Sequence, residues 1–385
     1  MIYLDNAATT KPKAKVKAEI NKFLGDNFAN PLSPYQYADE AKEAVDNARS
    51  TIAELINCEP NEIYFTSGGS ESNSWALKGL AFQYFAETKN PLTILTTPIE
   101  HHSIIHACKE LEKIGIARYD TIPVHKTGHI DTIELDSILS EIEGLCLVSI
   151  GWANNEIGTI QNMTKISEIV HKHNGILHSD AVQAYGKIPI DISLVDMMSV
   201  SAHKWGAPKG VGFLFIRTGL KLMPLISGGE QENGLRGGTH NVPYIHGMAI
   251  ASQLAFINLD KNYAHEWKVK CMILSELCKA LPKLTVNGSK VNTLPNILNV
   301  SFAKYGVRGE QLVAFLSEHE IYASTGSACH SSSLEPSHVL TAIGLSEDEA
   351  NASIRMSFSE NTTIPSVPEI VKTIVDGVKL LGTEE

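Results

Sequence analysis

From about residue 38 to residue 241, short apolar runs alternate with stretches in which apolar residues recur at helical spacing, and no other feature narrows the fold as far. Ala41, Ala44, Val45, Ala48, Ile52, Leu55 and Ile56 follow the helical period. The run Ile63-Tyr64-Phe65 comes next, then a Gly/Ser turn, then a helical stretch over 71–86. Residues 92–96, 145–150, 176–178 and 197–200 read as strands, 211–216 is a further apolar run, and 133–142 and 166–173 read as helices between them. Strands alternating with helices predict an α/β domain around a mainly parallel sheet. In such a sheet ligands sit beyond the carboxyl ends of the strands, so the residues just after each apolar run are the ones to inspect.

Past about residue 255 the pattern changes. A long helical stretch over 254–281 leads to an apolar run at 298–302, a helix near 309–319, a Ser-rich loop at 324–333 and a last helix over 367–380. This predicts a second, smaller α+β domain, and 385 residues suffice for two. The expected division is a large domain over 16–255 and a small one built from 1–15 and 256–385. Hydrophobic residues make up 43% and charged residues 19%, a globular balance. The net charge of -11 argues against direct nucleic-acid partners and anionic membranes. The lysines from Lys11 to Lys22 alternate with apolar residues and read as the solvated face of a first helix.

No apolar run approaches the roughly 20 residues of a membrane span. The start Met1-Ile2-Tyr3-Leu4-Asp5 lacks a basic segment followed by an apolar one, so a cytoplasmic location is expected. Six cysteines stand at 58, 108, 146, 271, 278 and 329 with no Cys-x-x-Cys pair, which suggests neither a zinc ribbon nor a disulfide scaffold. Most are expected to be small buried hydrophobes; Cys329, among small polar residues, is the exception.

Four features fall at strand ends. Thr66-Ser67-Gly68-Gly69-Ser70-Glu71-Ser72 follows a strand and opens a helix, where backbone N–H groups favour a phosphate, although by itself it is an ordinary strand–turn–helix with serine caps. Asp180 ends the run that begins at Ile176, and alone would be a turn-forming acid. Lys204, in Ser201-Ala202-His203-Lys204, follows the strand at 197–200; burial there would lower its pKa and make it a usable nucleophile, where most lysines are simply exposed. Glu100-His101-His102 follows the strand at 92–96, and adjacent His side chains diverge, which disfavours a metal reading. Together a phosphate cup, an acid and an apolar-flanked lysine meet the needs of pyridoxal phosphate (PLP): an amine to hold it, an acid for its ring nitrogen and donors for its phosphate.

Several segments resemble the cysteine desulfurases of the NifS/IscS-like type, PLP-dependent transferases of the aspartate aminotransferase-like fold type I. They are Leu4-Asp5-Asn6-Ala7-Ala8-Thr9-Thr10, Gly69-Ser70-Glu71-Ser72-Asn73, Asn154-Asn155-Glu156-Ile157-Gly158, Asp180-Ala181-Val182-Gln183, Ser201-Ala202-His203-Lys204 and Arg236-Gly237-Gly238-Thr239. The loop Ser324-Thr325-Gly326-Ser327-Ala328-Cys329, with Leu334-Glu335-Pro336 beyond it, completes the likeness.

The resemblance implies that Lys204 is the Schiff-base lysine and the base at the substrate Cα, Asp180 the partner of the ring nitrogen, His101 the histidine stacked on the ring and Gln183 a donor to the phenolic oxygen. Gly69, Ser70, Ser201 and His203 match phosphate-binding positions. Thr239 matches the residue that reaches the phosphate of a neighbouring subunit, which implies a homodimer. Arg355 matches the arginine that grips the substrate carboxylate, and Asn155 lies near substrate and ring. Cys329 is implied as the thiolate that takes sulfur from L-cysteine, becoming a persulfide and leaving alanine, for delivery to an acceptor protein such as an iron–sulfur scaffold or a tRNA-thiolation enzyme.

Departures from the family pattern are Gly-Gly-Ser in the phosphate turn, Ser359 in place of a glycine and His330 after the reactive cysteine. A selenocysteine lyase, an aminotransferase of the same fold and a non-catalytic sulfur-carrier scaffold are the alternatives. The loop cysteine argues against the first two, and the set Lys204, Asp180, His101 and Arg355 argues against the third.

Overall fold

A computed structural model describes residues 1–325 and 335–383. In chain order its strands are β1 (Ile2–Tyr3), β2 (Ile63–Thr66), β3 (Leu92–Thr96), β4 (Ala117–Thr121), β5 (Cys146–Gly151), β6 (Ile176–Asp180), β7 (Met197–Ser201), β8 (Gly212–Ile216), β9 (Thr285–Val286), β10 (Ile297–Ser301), β11 (Ile321–Tyr322) and β12 (Ser353–Ser357). The helices are α1 (Ala14–Leu24), α2 (Asp39–Ile56), α3 (Gly69–Thr88), α4 (His102–Lys113), α5 (Thr132–Glu141), α6 (Met163–Lys172), α7 (Val242–Ile257), α8 (Leu259–Ala280), α9 (Gly309–Glu318), α10 (His338–Ala342), α11 (Glu347–Asn351) and α12 (Val367–Leu381).

Among the described residues the largest sheet runs in the order β2-β8-β7-β6-β5-β3-β4. The pairs from β7 through β4 are parallel, while β8 runs antiparallel to both β2 and β7. The fold is therefore the mainly parallel α/β arrangement expected of PLP fold type I. Side chains of successive strand residues enter opposite cores. In β5, Leu147 packs with Trp75 and Leu77 of α3 and Ile104 of α4. Val148 and Ile150 pack on the other side with Ile52 of α2, Ile166 of α6 and Met248 of α7. Helices on both faces explain why β7 is buried along its whole length and reads as a continuous rather than an alternating run.

A second sheet, β12-β10-β9, is antiparallel, and β1 pairs with β11 in parallel. Its core joins Leu4, Val269 and Ile273 of α8, Val300 of β10, Leu312 of α9, Ile354 of β12 and Ile370 of α12. The first residues of the chain thus pack with the last third.

Three expectations change. The helical stretch at 254–281 is two helices: α7 begins at Val242, and the chain breaks at Asn258, whose Nδ2 donates to the Leu254 carbonyl at 2.8 Å. Strand β4 has no counterpart among the sequence-predicted strands. Of the cysteines, Cys108 and Cys146 are buried, Cys58 is half-buried, and Cys271 and Cys278 are exposed on α8, because the apolar face of that helix is carried by Val269, Ile273 and Leu277. No described helix is long and apolar enough to cross a membrane.

Candidate active site

The carboxyl ends of β2, β3, β5, β6 and β7 open onto one cavity of about 300 Å³. Lys204 stands in a single 3₁₀ turn, Ala202–Lys204, directly after β7. Its Nζ donates to the carbonyls of Ala7 and Ala8 at 2.7 and 2.8 Å, so the segment after β1 holds the amine in place. Burial pulls its pKa down to about 7, assisted by the charges of Lys187 and Arg355 and opposed by Asp180 and Asp5. A lysine so placed supplies free amine near neutral pH.

Asp180 ends β6. Its Oδ2 accepts from Asn73 Nδ2 at 2.7 Å and its Oδ1 from the Val182 N–H at 2.9 Å. Asn73 Nδ2 also donates to Ser103 Oγ at 2.9 Å, and Ser103 Oγ lies 2.8 Å from His101 Nδ1. The Ser103 N–H donates to the same Nδ1 at 3.2 Å, so that nitrogen is an acceptor and a neutral His101 carries its proton on Nε2. Burial lowers the pKa of His101, with Asp180 opposing. Asp180, Asn73, Ser103 and His101 therefore form one hydrogen-bonded line along the cavity.

The turn from β2 into α3 places Gly69 and Ser70 at the amino end of a 20-residue helix, and both line the cavity beside Ser201 and His203. Gly68 has φ of +148°, a conformation that suits glycine. A β-carbon on Gly69 would meet Val182 Cγ2 at 2.8 Å, so the glycine at 69 fits the close approach of this turn to the loop after β6. His203 Nδ1 lies 3.1 Å from Thr9 Oγ1, and burial, with Lys204, Lys209 and Lys187 nearby, pulls its pKa down to about 3. Gln183 Nε2 donates to the Ala7 carbonyl at 3.0 Å.

Arg355 comes from β12 in the second sheet and is 1% exposed. Its Nη2 donates to Asp5 Oδ1 at 2.7 Å and its Nη1 to the Asn155 carbonyl at 3.0 Å, while its Nε is buried without a partner among the described residues. Arg355 and Asn155 both line the cavity. Thr239 does not; it is exposed in the segment before α7. That segment is tied to the first turn of α3 by Arg236, whose Nε donates to Glu71 Oε1 at 2.8 Å.

Cys329 and His330 lie outside the described residues. The chain on either side of them is anchored at the site. Ser324 exchanges backbone hydrogen bonds with Arg355 at 2.6 and 3.1 Å. Beyond, Ser337 Oγ donates to Glu156 Oε2 at 2.6 Å and His338 Nε2 lies 2.9 Å from the Glu100 carbonyl.

Two residues of the cavity escaped the sequence reading of roles. Asn73 falls one turn after Gly69 on the same face of α3, a polar residue at an inward position. Glu100 is buried with its carboxyl pushed up to about 8 by burial; it accepts from Thr97 Oγ1 at 2.7 Å and from the Gly151 N–H at 2.8 Å. Its position beside His101 was the available signal.

These groups fit PLP. The cavity offers a near-neutral amine, a carboxylate held from two sides, a helix amino terminus and neutral donors, and Asn73 Oδ1 is a buried atom with no partner among the described residues.

Residues 2–369 match the family described as aminotransferase class-V. The cysteine desulfurase IscS of Methanosarcina thermophila is 41% identical over 382 residues, 99% of this chain and 92% of that protein. The cysteine desulfurase IscS of Dictyoglomus turgidum is 42% identical over 364 residues, 94% of this chain and 90% of that protein. Among solved structures, a NifS-like protein superposes with a TM-score of 0.90 at 37% identity, covering 99% of this chain and all of that one. The structure described as SspA in complex with cysteine gives 0.79 at 33% identity over 94% of this chain and 100% of that one.

Proposed function

Since the chain belongs to the aminotransferase class-V family, as a PLP-dependent cysteine desulfurase acting on L-cysteine, we propose a division of labour among the residues of its cavity. Lys204 Nζ would hold the cofactor and, once displaced by substrate, take the Cα proton. Its depressed pKa supports that role, since a base must be unprotonated near the working pH. Asp180 would pair with the ring nitrogen, fixed for this by Asn73 and the Val182 N–H. When bound, PLP supplies an electron-withdrawing ring that takes up the electron pair left at the substrate carbon. Gly69, Ser70, Ser201 and His203 would hold the phosphate, Gln183 the phenolic oxygen, and His101 the ring. The Arg355 guanidinium and Asn155 would orient the substrate carboxylate and exclude other poses.

The sulfur step falls to Cys329. Its thiolate attacks the substrate sulfur, an S–S bond forms as the substrate C–S bond breaks, and the carbon skeleton leaves as alanine after protonation. On either side of it, the described residues Ser324 and Ser337 are anchored to Arg355 and Glu156, which supports giving this role to Cys329. The persulfide is then passed to an acceptor protein, an iron–sulfur scaffold or a tRNA-thiolation enzyme. A homodimer is part of the same proposal, with Thr239 reaching the cofactor phosphate of a second copy; its exposure and the Arg236–Glu71 tie beside the phosphate turn support it. The division into a large domain over 16–255 and a small one from the two ends is carried forward too, supported by the separate cores of the two sheets. So is a cytoplasmic location, which the free thiols at Cys58, Cys108, Cys146, Cys271 and Cys278 suit.

The observation that carries the mechanism is the convergence of Lys204, Asp180, His101 and Arg355 on one cavity. The experiment replaces Cys329 by Ser and supplies L-cysteine with a reductant. The account expects a retained visible cofactor band and alanine and sulfide formation reduced by about a hundredfold or more. Full activity in C329S would end the sulfur-relay reading.

A further inference from the structure

A second, smaller cavity shares Lys204 with the first and contains ionisable groups that the mechanism above does not use. Lys187, Glu266, Glu360 and Asn296 line it, and its volume is about 40 Å³. Asn296 is 1% exposed, yet both polar atoms of its amide have no partner among the described residues. A polar cavity of this size has room for about one water, and an unpaired buried amide is the kind of group that orders one. Lys187 is joined to Lys204 by a short frame: its Nζ donates to Gln183 Oε1 at 3.1 Å, Gln183 Nε2 donates to the Ala7 carbonyl at 3.0 Å, and Lys204 Nζ donates to that same carbonyl at 2.7 Å.

Resting on the reading of Lys204 as the base, we propose that Lys187 is a positioning residue that, from this second cavity, uses its charge and its hydrogen bond to Gln183 to keep Lys204 an unprotonated amine during turnover. Two ammonium groups tied to one peptide frame repel, and the repulsion is relieved when one gives up its proton. Burial pulls the Lys187 pKa down as well, but only to about 8 because the Glu266 carboxyl opposes it, against about 7 for Lys204, so Lys187 is the one of the two that keeps its proton longer as pH rises. Its charge is among the causes that lower the pKa of Lys204.

The other charged groups around the pair do not replace it. Arg355 also disfavours the Lys204 ammonium, but it is committed to Asp5. Asp180 and Asp5 act in the opposite sense. His101 and His203 are held neutral by burial. Behind Glu266, Lys13 and Glu360 pair with each other at 2.7 Å.

The test is the pH dependence of the single-turnover rate of alanine formation from L-cysteine by the holoenzyme, in the parent and in K187M, K187Q and K187R. Loss of the Lys187 charge lets the Lys204 ammonium persist to higher pH, so the acid limb moves upward. The expected shift is about one pH unit in K187M and K187Q, about a tenfold slower rate at a fixed pH on that limb. K187R keeps the charge and should keep the parent limb. K187Q retains a donor for Gln183 without the charge, so it separates electrostatics from packing and carries the test if K187M does not fold. An unmoved limb in K187Q, or an equal shift in K187R, would overturn the proposal. A parent protein with no visible cofactor band or no alanine formation would instead strike the functional reading, and that is seen before any variant is made.

Discussion

At position 73 one amide serves two functional groups: its Nδ2 donates to Asp180 and to Ser103, and Ser103 holds His101 Nδ1. Removing it takes from the half-buried Asp180 carboxylate its side-chain donor, a loss of about 1.5–3 kcal/mol, the range for a hydrogen bond to a charged group. N73A should therefore bind PLP about tenfold or more weakly, read by titrating the apoprotein and following the visible band; unchanged affinity would show that Asn73 only fills space. Neither Asn73 nor Glu100 could be given a role from the sequence, since what matters is their burial against groups far along the chain. Lys204 and Asp180 were legible because each follows an apolar run that had to be a strand, and the end of a parallel strand is where ligands sit. Arg355 was legible through resemblance alone: nothing local in Ser353-Ile354-Arg355-Met356-Ser357 reveals that it meets Asp5 across 350 residues.

The elements are held in place by contacts of the same long-range kind, and Glu232 is the clearest. It sits at φ of 49° in the turn before α7 and accepts from Arg49 of α2, from His240 and from the Phe65 N–H of β2. Burial would push its carboxyl up, but the hydrogen bonds from His240 and Arg49, the Arg49 charge and the Phe65 N–H pull it down to about 2 from an ordinary 4.5. A depressed acid stabilises the fold above its unfolded pKa, and that stabilisation is lost as pH falls through the folded one. E232A should cost about 3 kcal/mol near neutral pH, the range for breaking a buried ion pair. The gap between parent and variant in denaturant unfolding should close as pH drops from about 5 to 2; a gap independent of pH would contradict the ion-pair account. Two elements misled the sequence reading for physical reasons. In β4, Arg118 and Asp120 face outward at the sheet edge, so the continuous apolar run that marks inner strands is missing. Between α7 and α8 there is no Gly or Pro, and Asn258 alone ends one helix and begins the next.

For the whole molecule, the alternating pattern foretold the α/β sheet but not how the second sheet meets it. The cavity closes only because β1 and β12, from opposite ends of the chain, bring Asp5, Ala7, Ala8 and Arg355 to the strand ends of the large sheet. That convergence makes Lys204 a half-buried amine between two cavities rather than a surface lysine. The direct measurement is alanine release from L-cysteine by K204A supplied with PLP, beside the parent. The predicted rate is about a thousandfold or more below the parent, the scale on which a positioned base acts. Alanine release at a parent-like rate would contradict the assignment of the chemistry to Lys204.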